Sequence, residues 1–390
     1  MGTYFVAEDI GASSTRILGT TNKEVRTLRN NMVFIEDESK EIDLVPTKML
    51  TDYALDVTIK RDEESKFFPM RVLVGDLADR YSKSQVTPNG VVNKTSQRVN
   101  YASAILGVAV SLLNENLDEV HDVTLYIALP PNEAKNQKET AKREFSGSYQ
   151  VTFNKLDKKV KFNVTEVEVY EESYLAMVSF IYHTDSRPKP LSAKYKDGYL
   201  LSIDIGASTT DLVIVQNLVY KERSGRTFKT GGNVVRDSLN SLILDTFGFE
   251  LPNEEADRAV IEGRIRLGNT WKDISGLVAN AKRAYADSII NQITNYFTNN
   301  GIAMPLMRAF CVSGGGSMAS KYTDDNGNEI KTSEPMSFYI TEALKQYCDT
   351  IEVEHYDEDP RQANIKGLYM RARIDQFQKG KITQAELTRA

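Results

Sequence analysis

Two short stretches carry residue types suited to phosphate and metal. Residues 9–13 read Asp-Ile-Gly-Ala-Ser, and residues 204–208 repeat them letter for letter. The offset is 195 residues, half of a 390-residue chain, and the match resumes at Thr15 and Thr210. In each copy a carboxylate, Asp9 or Asp204, ends an apolar run, YFVAEDI or YLLSIDI. Glycine has no Cβ, so backbone N–H groups there can approach an anion closely, and Ser and Thr hydroxyls add donors. The carboxylate is placed to hold a water of Mg2+, an ion that keeps several waters when it binds phosphates. The candidate cradle is Gly11, Ala12, Ser13 and Ser14 in the first copy, and Gly206, Ala207, Ser208 and Thr209 in the second. A tight hairpin would use the same polar residues in one copy alone. Their recurrence in the same context favours two related halves with a shared task.

Such loops need strands on both sides. A second strand is expected over 15–19 in the first copy and 210–216 in the second. Downstream, the pattern predicts a helix over 101–113 with Gly107 as its one weak point. A strand over 122–129 should run into a rigid Pro130-Pro131 loop, followed by two strands within 151–170 and a helix over 171–182. Residues 184–198 hold two of the chain's 11 prolines and read as a linker. Helices are then expected over 233–247, 253–266 and 275–298. A short strand over 309–312 leads into Ser313-Gly314-Gly315-Gly316, and helices over 335–348 and around 361–371 follow.

Composition narrows the classes. The chain has 48 Lys+Arg against 54 Asp+Glu, a net charge of −6, with 41% hydrophobic and 26% charged residues. Those values exclude a disordered or fibrous chain, and the length suggests two domains. The lack of a strong basic run argues against direct nucleic-acid binding. No apolar run approaches the roughly 18 residues of a membrane span. The opening MGTYFVAEDIG lacks the form of a signal peptide, so a soluble cytoplasmic protein without a membrane partner is expected. Cys311 and Cys348 make no CxxC, and a disulfide frame is not expected.

Other motifs carry less. No GxxxxGK[ST] is present. Gly314–Ala319 fits G-x-G-x-x-A, but no βαβ unit stands behind it. The stretch DDNGNE fails as a calcium loop and reads as an Asn-Gly hairpin. His121, His183 and His355 show no metal spacing and are expected at the surface. Asn93-Lys94-Thr95 and Asn163-Val164-Thr165 are glycosylation sequons, without meaning in a cytoplasmic protein.

Five segments, in order, resemble the actin-like superfamily shared by actin, the heat-shock 70 chaperones and the sugar kinases. They are 9–15, 163–176 (NVTEVEVYEESYLA), 204–211, 312–316 (VSGGG) and 363–368 (ANIKGL). Within it the chain most resembles the bacterial plasmid-segregation actins of the ParM group, through VLVGDLA (72–78), YIALPP (126–131) and the Glu172-Ser173 pair. It departs from them at Tyr170-Glu171, where a Pro is usual, and at the Ala of each loop.

The resemblance implies an α/β, actin-like (ribonuclease H-like) fold of two related domains with a nucleotide cleft between them. Domain I would comprise 1–185 plus about 340–390, and domain II 199–339. ATP, or alternatively GTP, would bind with Mg2+. Asp9 and Asp204 would hold the hydrated metal, and the two loops the phosphates. Gly314, Gly315 and Gly316 would lie against the adenosine, where a Cβ would clash. Glu172 would orient the attacking water, with a helix first-turn role as the plainer alternative. Arg16 would reach a phosphate or merely decorate an edge strand. Glu262 would hold the ribose, with Glu255 or Arg266 nearly as suitable. The implied function is an NTP hydrolase whose head-to-tail filaments segregate plasmid DNA through a DNA-binding adaptor of the ParR type. A small-molecule kinase of the same fold and a non-hydrolysing cytoskeletal scaffold are the alternatives.

Overall fold

The first apolar run forms strand β1 (Tyr4–Ile10), which reverses into β2 (Ser14–Gly19). They pair antiparallel with Asp9 opposite Arg16 and Ile10 opposite Thr15. A computed structural model describes residues 4–11, 14–36, 55–62, 68–79, 86, 94–221 and 224–388 of the chain. It divides into two compact units, residues 1–187 with 364–390, and residues 188–363.

In the first unit β3 (Asn22–Arg29), β4 (Met32–Ile35), β5 (Leu55–Arg61) and β6 (Met70–Val74) follow, then the single turn α1 (Asp76–Asp79) and helix α2 (Arg98–Leu112). Next come β7 (Val120–Leu129), α3 (Pro131–Phe145), β8 (Gly147–Phe153), β9 (Lys158–Glu171) and α4 (Glu172–Ile181). The strands make one nine-stranded sheet, in the order β3-β2-β1-β7-β9-β8-β5-β6-β4. β1, β7 and β9 run parallel at its centre. On one face Val6, Ile10, Ile17 and Ile127 pack with Ile105 and Ala109 of α2. On the other, Phe5, Ala7 and Ala128 pack with Leu175 of α4.

Two expectations fail in this unit. Pro130-Pro131 does not open a rigid loop: Pro131 stands at the start of α3, where its fixed φ suits a helix and its missing N–H costs nothing. His121 is not at the surface. It is buried, with Nε2 2.9 Å from the Asn116 carbonyl and its ring edge-on to Tyr4.

The weak point of α2 has a purpose. Gly107 faces Glu8, and a Cβ there would lie 2.3 Å from Glu8 Oε1. Glu8 is fully buried on β1, and neither carboxyl oxygen has a hydrogen-bond partner among the described residues. Burial alone pushes this carboxyl well above the usual range, because no solvent stabilises the charge.

In the second unit the single-turn helix α5 (Pro190–Lys194) lies within the expected linker. β10 (Tyr199–Ile205) and β11 (Thr210–Gln216) repeat the opening hairpin, with Asp204 opposite Asp211 and Ile205 opposite Thr210. Then come β12 (Val219–Tyr220), β13 (Arg226–Phe228), α6 (Gly232–Phe247), α7 (Asn253–Glu262), β14 (Arg264–Leu267), β15 (Thr270–Asp273) and α8 (Ser275–Asn299). β16 (Met307–Ser313), β17 (Ser320–Thr323), β18 (Glu329–Ser333), α9 (Met336–Leu344) and β19 (Glu352–His355) complete the unit. The main sheet runs β12-β11-β10-β16-β19, with β13 also on β11. β10, β16 and β19 are parallel, as β1, β7 and β9 are. α8 supplies Tyr285, Ile289, Ile290 and Ile293 to a core shared with α6 and α9. The helix expected over 253–266 stops at Glu262, because Gly263 takes a left-handed φ of 69° and the chain re-enters as β14. Arg266 is therefore on a strand.

The chain returns to the first unit at Asn364 rather than near 340. α9 and β19 hold the intervening residues in the second unit, through Ile340 and Leu344 in its core and the pairing of β19 with β16. In the returning helix α10 (Ala363–Gln378), Ile365, Leu368 and Ala372 pack beside Leu175 of α4, and α11 (Gln384–Leu387) follows. No helix among the described residues is long and apolar enough to cross a membrane.

The Glu8–Gly107 contact gives a stability test. Gly107→Ala should lower the unfolding free energy in urea by about 1–3 kcal/mol, the usual cost of overpacking. Glu8→Ala in the same chain should recover most of that loss, since it removes the atoms the new methyl meets.

Candidate functional site

The two loops share one construction. The N–H of Gly11 donates to the carbonyl of Ser14 at 2.9 Å, and that of Gly206 to Thr209 at 2.9 Å. The carbonyl of each glycine is then held from outside. Asn30 Nδ2 donates to Gly11 O at 2.6 Å, and the N–H of Gly232, at the start of α6, donates to Gly206 O at 2.8 Å. Asn30 is itself buried between Thr15 and Ser103 hydroxyls. In the second loop Asn233 N also donates to Ala207 O at 2.8 Å, while Asn233 Nδ2 lies 3.5 Å from Ser208 Oγ. Thr209 Oγ1 donates to Asp211 at 3.2 Å. Ser14 opens β2, half-buried. Ala12 and Ser13 lie outside the described residues.

The strand-end carboxylates differ in surroundings. Both are buried, Asp9 at 4% and Asp204 at 6% exposure. Asp9 faces Arg16 Nη1 at 3.4 Å, so Arg16 is turned onto the carboxylate of its own hairpin. Asp204 Oδ1 accepts from Ser313 Oγ at 3.2 Å. An all-oxygen donor set suits Mg2+. Among the described residues, no group of three or more His, Cys, Asp or Glu is arranged to hold a metal.

Ser313 ends β16 and leads into the glycine turn. Gly314 has φ 89°, and a Cβ on it would fall 2.4 Å from the Ile205 carbonyl and 2.6 Å from Asp204 Oδ1. A side chain at Gly314 would strike the end of the chain's own β10, which packs directly against this turn. Gly315 is looser: its Cβ would meet Arg361 Cγ at an ordinary 3.6 Å. The second unit therefore brings Asp204, Gly206–Thr209, Ser313 and Gly314–Gly316 together.

Glu172 opens α4 and is buried at 8% exposure. It forms an ion pair with Lys94. The Lys94 backbone N–H donates to Glu133 Oε2 at 2.7 Å, at the start of α3. Burial works against the Lys94 charge, but Glu172 and Asp9 outweigh it and hold the group above the usual lysine range. Burial raises the Glu133 carboxyl, and the Lys94 N–H and charge only partly offset this. The first unit so gathers Asp9, Lys94 and Glu172. The sequence reading missed Lys94, which lay inside a discounted sequon, and Glu133. Proline at a helix start with Glu in the first turn was the available signal for α3.

Glu262 is occupied elsewhere. It ends α7 and accepts from Arg264 Nε at 2.9 Å. That guanidinium is sandwiched between Trp271 and Tyr322, 4.1 and 3.7 Å from the ring centroids. Glu255 is exposed in the first turn of α7.

Residues 7–174 match the family model for the actin-like proteins' N-terminal domain, and residues 202–322 that for the archaeal actin homologue MreB-like, C-terminal. The chain has the actin-like fold. Its structure is similar to that of the actin-like protein Alp7A, at 19% identity and TM-score 0.70, over 97% of this chain and 98% of that one. It is similar to the ParM of a 15-stranded filament from Clostridium botulinum, at 16% identity and TM-score 0.66, over 96% and 100% of the two chains. It is also similar to Bacillus thuringiensis ParM with ATP, at 12% identity and TM-score 0.62, over 97% and 100%. At such identities the likeness is one of fold. No curated protein sequence matches the chain.

Within this actin-like fold a buried lysine braces the segment after the glycine turn. Lys282 Nζ of α8 lies within hydrogen-bond distance of four oxygens that share its N–H groups: the Met318 carbonyl at 2.9 Å, Ser320 Oγ at 3.0 Å, Ser333 Oγ at 2.9 Å and the Glu334 carbonyl at 3.1 Å. Burial pulls its pKa down to about 7, against a smaller opposing pull from Glu334. The unfolded chain then binds more protons than the folded one between pH about 7 and the usual lysine value of about 10.4, so this residue makes stability rise with pH across that window. Lys282→Met should flatten that part of the urea-midpoint profile.

Proposed function

We propose that the protein is a nucleotide-driven actin-like filament protein. It binds ATP, or GTP, with Mg2+ and hydrolyses it, and polymerises head to tail in the cytoplasm. It moves plasmid DNA through a separate DNA-binding adaptor of the ParR type. The observation that carries this reading is the duplicated hairpin: a buried strand-end carboxylate, then a loop closed by the same glycine N–H bond and held by its glycine carbonyl. Support also comes from similar folds in a ParM filament and in a ParM with ATP.

In this reading, the loop N–H groups that follow Gly11 and Gly206, and the Ser13, Ser14 and Ser208 hydroxyls, take phosphate oxygens, since each glycine N–H closes its own loop. Asp9 and Asp204 would each be able to hold waters of Mg2+, an ion that would neutralise phosphate charge. Gly314–Gly316 offer backbone to the nucleoside, and Glu262 remains the ribose candidate only if Arg264 releases it. Glu172 orients water. The water oxygen bonds to the γ-phosphorus, the bond to the bridging oxygen breaks with its electron pair leaving on the diphosphate, and a water proton passes to the released phosphate. Losing the γ-phosphate removes contacts that favour the assembling state, so hydrolysis times the polymer. A net charge of −6 fits recruitment of DNA through a basic adaptor.

Light scattering tests this directly. Adding Mg-ATP or Mg-GTP should raise scatter, which then decays as phosphate is released, and EDTA should abolish both. Flat scatter with sugar-dependent turnover would instead point to a kinase. Glu172→Ala should assemble and fail to disassemble; a variant that neither binds nucleotide nor polymerises would remove Glu172 from the water-orienting role.

A further inference from the structure

The carboxylate assigned to water does not stand alone, and its partner is unusually well fixed. Lys94 sits at the head of a short turn whose backbone is pinned from several sides. Its N–H is held by Glu133, its carbonyl accepts from Asn100 Nδ2 at 3.0 Å, and the next carbonyl, of Thr95, accepts from Tyr101 Oη at 2.8 Å. Thr95 Oγ1 adds a bond to Gln137 of α3 at 3.0 Å. The lysine side chain is 16% exposed and that of Glu172 10%. The pair therefore joins the starts of three helices, α2, α3 and α4, beside the strand that ends on Asp9.

A pair so far from water is poor value as a stabiliser. Desolvating two charges costs several kcal/mol per ion, and packed apolar residues often do as well. What a fixed ammonium supplies is orientation and sign: it sets the plane of a carboxylate and keeps it ionised, leaving further lone pairs for other donors.

We propose that Lys94 is a positioning residue for hydrolysis, fixing Glu172 so that its carboxylate meets the attacking water, with Glu133 locking the lysine backbone in place. This rests on the nucleotide-hydrolysing reading above. Lys94 acts through Glu172, so its loss should strike turnover and spare nucleotide affinity. Because the two act as a unit, their losses should not multiply.

The experiment uses the full chain. Mg-ATP dissociation constants, by fluorescent-nucleotide displacement, and kcat for phosphate release are measured for wild type, Lys94→Met, Lys94→Gln, Lys94→Arg, Glu172→Gln and the Lys94→Met/Glu172→Gln double variant, with a thermal melt for each. Lys94→Met and Lys94→Gln should bind Mg-ATP within about 3-fold of wild type, while kcat falls on the order of 100-fold, the usual cost of misplacing a reacting group. The double variant should be no slower than Glu172→Gln, and Lys94→Arg should regain part of the rate. Lys94→Gln keeps a donor without charge and carries the test if Lys94→Met does not fold. A folded charge-removing variant with wild-type kcat overturns the proposal, as does a multiplicative loss in the double variant. A folded variant that loses ATP binding overturns it too, since Lys94 would then serve the nucleotide directly. A wild type that neither binds nor hydrolyses ATP or GTP ends the functional reading itself; active wild type with active Lys94→Met ends this role alone.

Discussion

A strand that ends on a buried carboxylate and reverses within four residues leaves backbone donors and a negative charge at one point, with nothing regular to hold them. The turn must be closed and its spare carbonyl must be paired, or the polar backbone would be buried at a cost. Both copies meet this constraint alike: glycine N–H to the carbonyl three residues on, and an outside donor on the glycine carbonyl. Much of the surrounding structure supplies those donors. Asn30 is held between a β2 hydroxyl and an α2 hydroxyl for the first loop, while the start of α6 is laid against the second.

The two copies have diverged in charge. Opposite Asp9 stands Arg16, and Lys94 adds a second positive charge that the carboxylate feels. Opposite Asp204 stands Asp211, which takes hydroxyl donors from Thr209 and Thr227, while Asp204 itself takes one from Ser313. Cations thus face the first carboxylate, while hydroxyl donors stand at those of the second hairpin. A common backbone has been given two electrostatic settings, as expected where each half of a duplicated core keeps the geometry and specialises the charge.

Buried charge is a second theme. Glu8 lies in an apolar core with room made by Gly107, whereas Lys282 lies among four oxygen acceptors. Burial shifts both toward neutrality, and their effects on stability have opposite signs with pH: a raised acid favours the fold at low pH and a lowered base at high pH. Gly107 looked like a defect in a helix pattern because its reason was a side chain on another strand.

The duplicated loop, its flanking strands and the long helices were legible from the sequence, because strand and helix periods and glycine turns are local and leave local marks. The late return of the chain had no such local mark and came only from the family resemblance; its start at Asn364 depends on α9 and β19 finding partners in the second unit. Helix α3 was missed because a Pro-Pro pair reads as a break until its position at a helix start is known. Arg266 was misplaced because one left-handed glycine ended α7 early. The sequence by itself determined where the chain repeats and which carboxylate, glycine and hydroxyl residues recur in both copies. Only the tertiary structure decided which charges meet: Lys94 with Glu172 across 78 residues, Ser313 with Asp204 across 109. Such pairings are set by how sheets and helices pack, and sequence separation carries no record of that.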